Sequence, residues 1–213
     1  IFAAIAMLPG EPVSRGRARA YGAALGHPEK TVAVLIGDGE FETATALSSL
    51  NLVKLCNSKH HGAVLPILHL NSYKISGPTI SGRKSERELL HQIRGFGFEP
   101  ILIDGTPSSF EYALKISESF YAKIQNANAN LENAYGIKEH NRILDPPFII
   151  MKTEKGAGGP AYVNGKKVAG NFLAHQIPLP NAKTDSEELA ILSDWLKLYR
   201  FNELFDAEKG FLL

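Results

Sequence analysis

"TVAVLIGDGEFETATALSSLNLVKLC", Thr31 to Cys56, runs from a β-branched apolar segment through an acidic corner into a helical pattern. Val32 to Ile36 show no polar alternation, the mark of a strand buried on both faces. Asp38 then stands between Gly37 and Gly39 and is followed by Glu40. Asp-Gly is among the commonest turn dipeptides, and a strand-to-helix connection needs a turn. A carboxylate at such a corner, flanked by residues without a Cβ, also has the means to hold a metal while the backbone closes on a phosphate. Beyond the corner, Leu47, Leu50 and Leu55 fall on one side of a predicted helix, so the stretch reads strand, turn, helix.

The same alternation continues outward. "GAVLPILHLN" (62–71) is a second apolar run, "SERELLHQIRGFG" (85–97) a helix with Ser85 as N-cap and Glu88 three residues on, and "EPILIDG" (99–105) a third strand. Ser108 to about Gln125 reads as a helix and "PPFIIMKTEKG" (146–156) as a fourth strand. Apolar strands separated by helices predict an α/β fold, a parallel sheet with helices on both faces joined by right-handed crossovers. At 213 residues the chain is read as a single domain, 1–213. "IFAAIAML" (1–8) is too short to cross a bilayer and reads as a buried segment. "NANANLEN" (126–133) reads as a helix end or solvated linker.

Lys plus Arg number 23 and Asp plus Glu 22, a formal charge of +1, and the charges are scattered. That balance gives no reason to invoke nucleic acid or a membrane as partner. The single cysteine, Cys56, excludes an internal disulfide framework and suits a reducing, cytoplasmic compartment. It reads as a small packed apolar residue. His60-His61 has no further ligand at a metal-site spacing and is expected on an exposed loop, while His69, inside an apolar strand, reads as a satisfied core histidine.

In parallel sheets ligands bind beyond the carboxyl ends of the strands. Asp38, Asn71, Asp104 and Lys155 follow the successive predicted strands. Thirty-one residues, Glu40 to Leu70, separate the "GDG" from Asn71, which sets a carboxylate and an amide oxygen at the tips of neighbouring strands. Mg²⁺ favours an octahedron of oxygens, commonly few from protein and the rest from phosphate and water. Asp38, Asn71 and a main-chain carbonyl near Tyr73 offer one side of that octahedron, and a diphosphate much of the other.

"GDGE" followed by "LN" resembles the thiamine diphosphate motif, a GDG with an asparagine at similar distance. "GDGEFET", "GAVLPILHLNSYKISGPT", "RGFGFEPILIDG", "KGAGGP", "NGKKVAGNFLAHQIPL" and "WLKLYRFNELFD" resemble successive blocks of the phosphoketolases acting on xylulose 5-phosphate and fructose 6-phosphate, from about Pro28 to Leu213. The chain is thus similar to part of the N-terminal, thiamine diphosphate-binding domain of that family. The resemblance implies a transketolase-like fold and an aldehyde-lyase of carbohydrate metabolism that is a homo-oligomer in its full form. It implies that Asp38, Asn71 and Tyr73, the last through its carbonyl, hold Mg²⁺, and that Gly37, Gly39 and Glu40 complete the diphosphate-side motif. Lys155 and His175, twenty positions apart, match a lysine and a histidine lining the family's reaction space. The implied reaction is phosphorolytic cleavage of a ketose phosphate, with inorganic phosphate, to acetyl phosphate and an aldose phosphate.

The departures are specific. Where phosphoketolases carry a glycine-rich "GGELG" block, with histidines further upstream, this sequence has "GEPVSRGRARAYGAAL" (10–25), so 1–27 is read as a divergent leading segment. "KGAGGP" replaces the bulkier "KGWTGP", leaving less side chain beside Lys155. The family's pyrimidine-binding portion, whose glutamate engages the far end of the cofactor, has no counterpart in the 213 residues. A missing portion or second subunit is therefore an expected partner, the chain alone is expected to be inactive, and apolar surface is expected to be exposed. A non-catalytic domain kept for assembly, or a fragment of another thiamine diphosphate enzyme such as a transketolase, are the alternatives.

Overall fold

The computed structural model describes residues 2–5, 13–56, 61–135, 145–206 and 208–211, with side chains described from Arg19 onward except at 125 and 127–135. The chain forms two compact units, one of residues 1–72 and 79–153, the other of 73–78 and 154–213.

In chain order the first unit holds β1 (Phe2–Ile5), α1 (Val13–Leu25), β2 (Thr31–Gly37), the short α2 (Asp38–Phe41), α3 (Ala44–Leu50), β3 (Ala63–Leu70), α4 (Glu86–Gly95), β4 (Glu99–Ile103), α5 (Pro107–Tyr135) and β5 (Pro147–Lys152). The strands form one parallel sheet in the order β1-β2-β3-β5-β4. Each strand read from the sequence is present, and "FAAI" adds an edge strand beside β2. Successive residues of a strand point to opposite faces, so uninterrupted apolar runs supply two cores at once. Val34 and Ile36 of β2, Leu68 of β3 and Phe148 of β5 pack with α1, α3 and α4 on one face. Leu65 and Ile67 of β3, Ile149 of β5 and Ile103 of β4 pack with Ala113, Tyr121 and Ile124 of α5 on the other.

The helix predicted after the acidic corner is broken. It consists of α2, α3 and a 3-10 turn at Asn51–Leu55. Thr43 interrupts it, because its hydroxyl accepts from Ala46 N–H at 3.4 Å as the N-cap of α3, a bond that competes with helical continuation. Leu47 and Leu50 reach the core, whereas Leu55 is 62% exposed, so the predicted apolar side ends one turn early. α5 runs to Tyr135 instead of ending near Gln125, and "NANANLEN" lies inside it; interspersed alanines and the absence of Gly and Pro let the helix continue. The cap predicted for α4 is present: Ser85 Oγ accepts from Glu88 N–H at 3.3 Å, and the Glu88 carboxylate accepts from Ser85 N–H at 2.8 Å. The Ser85 hydroxyl and N–H hold the Glu88 carboxyl below its ordinary range.

The second unit holds the 73–78 loop, an antiparallel hairpin of β6 (Tyr162–Val163) and β7 (Lys166–Lys167), a 3-10 turn at Phe172–His175, α6 (Ser186–Lys197), α7 (Phe201–Leu204), and a hairpin of β8 (Phe205–Asp206) and β9 (Gly210–Phe211). Its core joins Val163, Val168 and Leu179 to Ile191, Leu192 and Trp195 of α6. Glu188 of α6 is wholly buried and accepts from Asn181 N–H at 2.7 Å, Asn164 Nδ2 at 3.1 Å and Asn181 Nδ2 at 3.2 Å. One carboxylate thus ties α6 to two loops. Glu188→Ala is expected to destabilise this unit by about 2 kcal/mol, the scale of hydrogen bonds to a charged acceptor. Faster hydrogen exchange in α6 with the first unit unchanged is the expected signature, and unchanged exchange at Asn181 would contradict it.

Among the described residues no helix is long and apolar enough to cross a membrane.

Candidate functional site

Asp38 opens α2 directly after β2, at the carboxyl end of the sheet. Parallel pairing of Gly37 with His69 sets this corner level with the end of β3, where Asn71 follows, half-buried. Phe41 anchors α2, packing edge-on against Phe148 of β5 at 6.1 Å between ring centroids. Gly37 N–H donates to the Glu40 carboxylate at 3.1 Å, so Glu40 closes the first turn of α2, in which Gly39 is half-buried.

The Asp38 side chain is 2% exposed. Its Oδ2 accepts from Ser72 N–H at 2.6 Å and from the Thr79 hydroxyl at 3.1 Å. Thr79, wholly buried, accepts in turn from Gly82 N–H at 3.0 Å, and its own N–H donates to the Ser72 carbonyl at 2.9 Å. Glu42 reinforces the same turn by accepting from Ile80 N–H at 2.6 Å. Ser72 adopts a left-handed φ of 71°, a strain of about 1–3 kcal/mol for a non-glycine residue that persists where surrounding bonds over-determine it. Gly82 allows the closure, since a Cβ there would sit 2.6 Å from Ser72 Cα.

Among the described residues both hydrogen bonds to the Asp38 carboxylate fall on Oδ2, and Oδ1 accepts none. No group of three His, Cys, Asp or Glu there could hold a metal. A carboxylate at the end of β2 and an asparagine just after the neighbouring β3 make a sparse, hard donor set, which suits Mg²⁺ completed by phosphate and water rather than a transition metal. Tyr73 starts the loop of the second unit, pairing with Pro78 in a single bridge, with Lys74 N–H donating to the Gly77 carbonyl at 2.7 Å.

Within the second unit, Lys155 Nζ lies 3.5 Å from His175 Nδ1, at the outer limit of a hydrogen bond. An ammonium group has no acceptor, so in this contact Lys155 can only donate. The backbone explains the approach. Gly156 has a φ of 76°, and a Cβ on it would lie 2.6 Å from Ala174 Cβ, so only glycine lets the Phe172–His175 turn pack here. Gly170 N–H donates to the Lys155 carbonyl at 2.8 Å, and Asn171 caps the turn by accepting from Leu173 N–H at 2.8 Å. Lys155 and Gly156 of "KGAGGP" are therefore fitted against the Phe172–His175 turn.

Asp104, the remaining strand-tip residue, braces Thr106, whose hydroxyl accepts from Ser109 N–H at 3.3 Å at the start of α5. The Ser109 hydroxyl, the Thr106 N–H and the Thr106 hydroxyl hold its carboxyl down from the ordinary 3.8 to about 2, the Thr106 bonds being 3.0 and 2.8 Å long. A carboxyl depressed on folding contributes stability above its unfolded value, and that contribution is lost as pH falls through the folded value. Asp104 is therefore expected to favour the folded state above about pH 4 and to lose this as pH falls toward about 2. An NMR titration of Asp104 should find a midpoint near 2 that rises toward 3.8 in Thr106→Ala; a midpoint unmoved by that change would contradict the assignment. His69 is satisfied as read from the sequence, Nε2 meeting Thr153 Oγ1 at 2.7 Å, but it is half-buried and not in the core. Cys56 packs against the first core as a half-buried thiol. His60 lies outside the described residues, and His61 is half-buried, not exposed.

Over residues 10–212 the sequence matches the family described as the XFP N-terminal domain. The chain belongs to that family. This XFP N-terminal domain is 40% identical over 198 residues to a protein of Rhodopseudomonas palustris (strain HaA2) named "Probable phosphoketolase", covering 91% of this chain and 24% of that protein. A "Probable phosphoketolase" of Streptomyces avermitilis is 43% identical over 192 residues, covering 90% of this chain and 24% of the other. The chain thus spans about a quarter of the length of the curated relatives it matches. The resemblance to phosphoketolases read from the ordered blocks holds. Among solved structures, the transketolase from Campylobacter jejuni subsp. jejuni NCTC 11168 is similar with a TM-score of 0.45 and 20% identity, covering 83% of this chain and 24% of that one.

Sequence reasoning missed the residues that hold the XFP N-terminal domain's Asp38 in place. Thr79, Ser72 and Gly82 lie in "NSYKISGPTISG", which by composition is an ordinary turn-rich loop. No signal in the sequence singles Thr79 out, because Ile75 and Ile80 in the same stretch are β-branched as well.

Proposed function

We propose that this chain is the diphosphate-anchoring part of a thiamine diphosphate- and Mg²⁺-dependent phosphoketolase. Its substrates are a ketose phosphate, xylulose 5-phosphate or fructose 6-phosphate, and inorganic phosphate; its products are acetyl phosphate, an aldose phosphate and water. The observation that carries this reading is the buried Asp38 carboxylate at the carboxyl end of β2, with Oδ2 tied down and, among the described residues, no hydrogen bond to Oδ1. Asp38, the Asn71 side-chain oxygen and the Tyr73 carbonyl would hold Mg²⁺, with Gly37, Gly39 and Glu40 on the diphosphate side. The thiamine cofactor supplies the electron sink for carbon–carbon cleavage.

The remaining chemistry belongs to the chain's own groups. Lys155 places positive charge where phosphate or a developing oxyanion is to be steadied. Beside it His175 offers an imidazole, a ring able to take up or release a proton. The pyrimidine-binding portion or a second subunit completes the site, and the full enzyme is a cytoplasmic homo-oligomer. Exposed apolar side chains on the second unit support such a covered surface, with Ile177 and Leu198 at 77% and 74% exposure and Phe201, Phe205 and Phe211 also exposed. Calorimetric titration with thiamine diphosphate tests the reading. Binding is expected in Mg²⁺ and absent in EDTA; equal binding in the two, or none in either, contradicts it.

A further inference from the structure

We infer that Thr79 is a positioning residue for Asp38, holding Oδ2 so that Oδ1 is the single oxygen presented to the metal. The inference rests on the metal-site reading above and deepens it. A carboxylate turns readily about its last torsion, which has a broad, two-fold profile. One bond, from Ser72 N–H, fixes an oxygen in place but leaves the plane of the group free to swing. The Thr79 hydroxyl meets the same oxygen from a second residue, and two donors on Oδ2 define where Oδ1 lies.

Thr79 is itself held for this task. Gly82 N–H takes up acceptor capacity of Oγ at 3.0 Å, so the one hydroxyl proton is left for Asp38. Its backbone N–H is bonded to the Ser72 carbonyl at 2.9 Å, and the residue is wholly buried. A β-branched side chain is stiff at χ1, which threonine supplies and serine does not. Holding one oxygen away from the metal also bears on which metal fits. Mg²⁺ demands a near-ideal octahedron, whereas Ca²⁺ accepts bidentate carboxylates and irregular shells. A carboxylate restricted to one presented oxygen favours the smaller ion.

The test is calorimetry of Mg²⁺ and Ca²⁺ binding in the presence of thiamine diphosphate, using the 213-residue chain and its Thr79→Val, Thr79→Ser and Asp38→Asn variants. Thr79→Val keeps shape and removes the donor. It is expected to weaken Mg²⁺ by about 10- to 100-fold, the usual effect of losing a partner of a metal ligand, and to weaken Ca²⁺ distinctly less, so that the preference between the ions shifts. Thr79→Ser is expected to recover most of the Mg²⁺ affinity. Unchanged Mg²⁺ affinity in Thr79→Val, with binding lost in Asp38→Asn, would overturn the inference while leaving the metal site standing. Equal losses for both ions, accompanied by faster hydrogen exchange across 72–82, would show a structural role only and also overturn it. No Mg²⁺ dependence in the unaltered chain would remove the metal-site reading and the inference together.

Discussion

Asp38→Asn is expected to weaken Mg²⁺-dependent thiamine diphosphate binding by about a hundredfold or more, close to 3 kcal/mol. The substitution is nearly isosteric, and its amide oxygen can still accept from Ser72 N–H and the Thr79 hydroxyl, which now meet Asp38 at 2.6 and 3.1 Å. With that oxygen on the two donors, the amide NH2 takes the Oδ1 position, where it has no lone pair to offer a metal. The proposed protein ligand set thus loses its one anionic oxygen, the loss that costs a hard dication most. Alanine is a poorer probe, because it leaves two donors in a buried place without their acceptor, at about 1–3 kcal/mol each in stability. Calorimetry of the two proteins in saturating Mg²⁺ decides the point, with hydrogen exchange across 72–82 as the check that the loop is intact. Equal affinities would sink the assignment of Asp38 as a ligand.

The sheet was legible because its strands are buried on both faces. β2, β3 and β5 carry apolar residues at consecutive positions, and each run feeds both cores. α4 was legible at its start, where Ser85 and Glu88 satisfy each other's backbone groups locally. The break between α2 and α3 was not, because it turns on one threonine hydroxyl choosing Ala46 N–H, and Thr43 in a helical pattern carries no mark of that choice. The length of α5 was not legible either, since asparagine disfavours helix by too little to end one already propagating.

The site divides in the same way. Asp38 and Asn71 were legible as strand tips, since topology alone brings consecutive parallel strands together at their carboxyl ends. The groups that orient Asp38 were hidden, because Thr79 acts from forty-one positions away through a loop closed on itself. Glu188 was hidden for a related reason. In "DSEELA" nothing distinguishes it from its exposed neighbour Glu187; only the Asn164 and Asn181 loops folding over α6 make it a buried acceptor.

A polypeptide of these 213 residues is expected to release no acetyl phosphate from fructose 6-phosphate or xylulose 5-phosphate, even with thiamine diphosphate, Mg²⁺ and inorganic phosphate present. The proposed anchoring groups hold one end of the cofactor. The resemblance to phosphoketolases implies that a glutamate from a pyrimidine-binding portion engages the other end and that histidines ahead of this region share the proton transfers. This chain matches its curated relatives over only 24% of their length. General acid–base help from a single positioned group is worth about 10² to 10⁴ in rate, so losing several lowers turnover beyond detection. In their proposed roles Asp38, Asn71, Lys155 and His175 would not make up that loss, because they would serve other atoms than that glutamate and those histidines do. Trapping acetyl phosphate as its hydroxamate measures the outcome. Adding the C-terminal portion of a related phosphoketolase is expected to restore part of the activity. Turnover by the purified chain alone, abolished by Asp38→Asn, would instead show that the residues present suffice for the whole reaction.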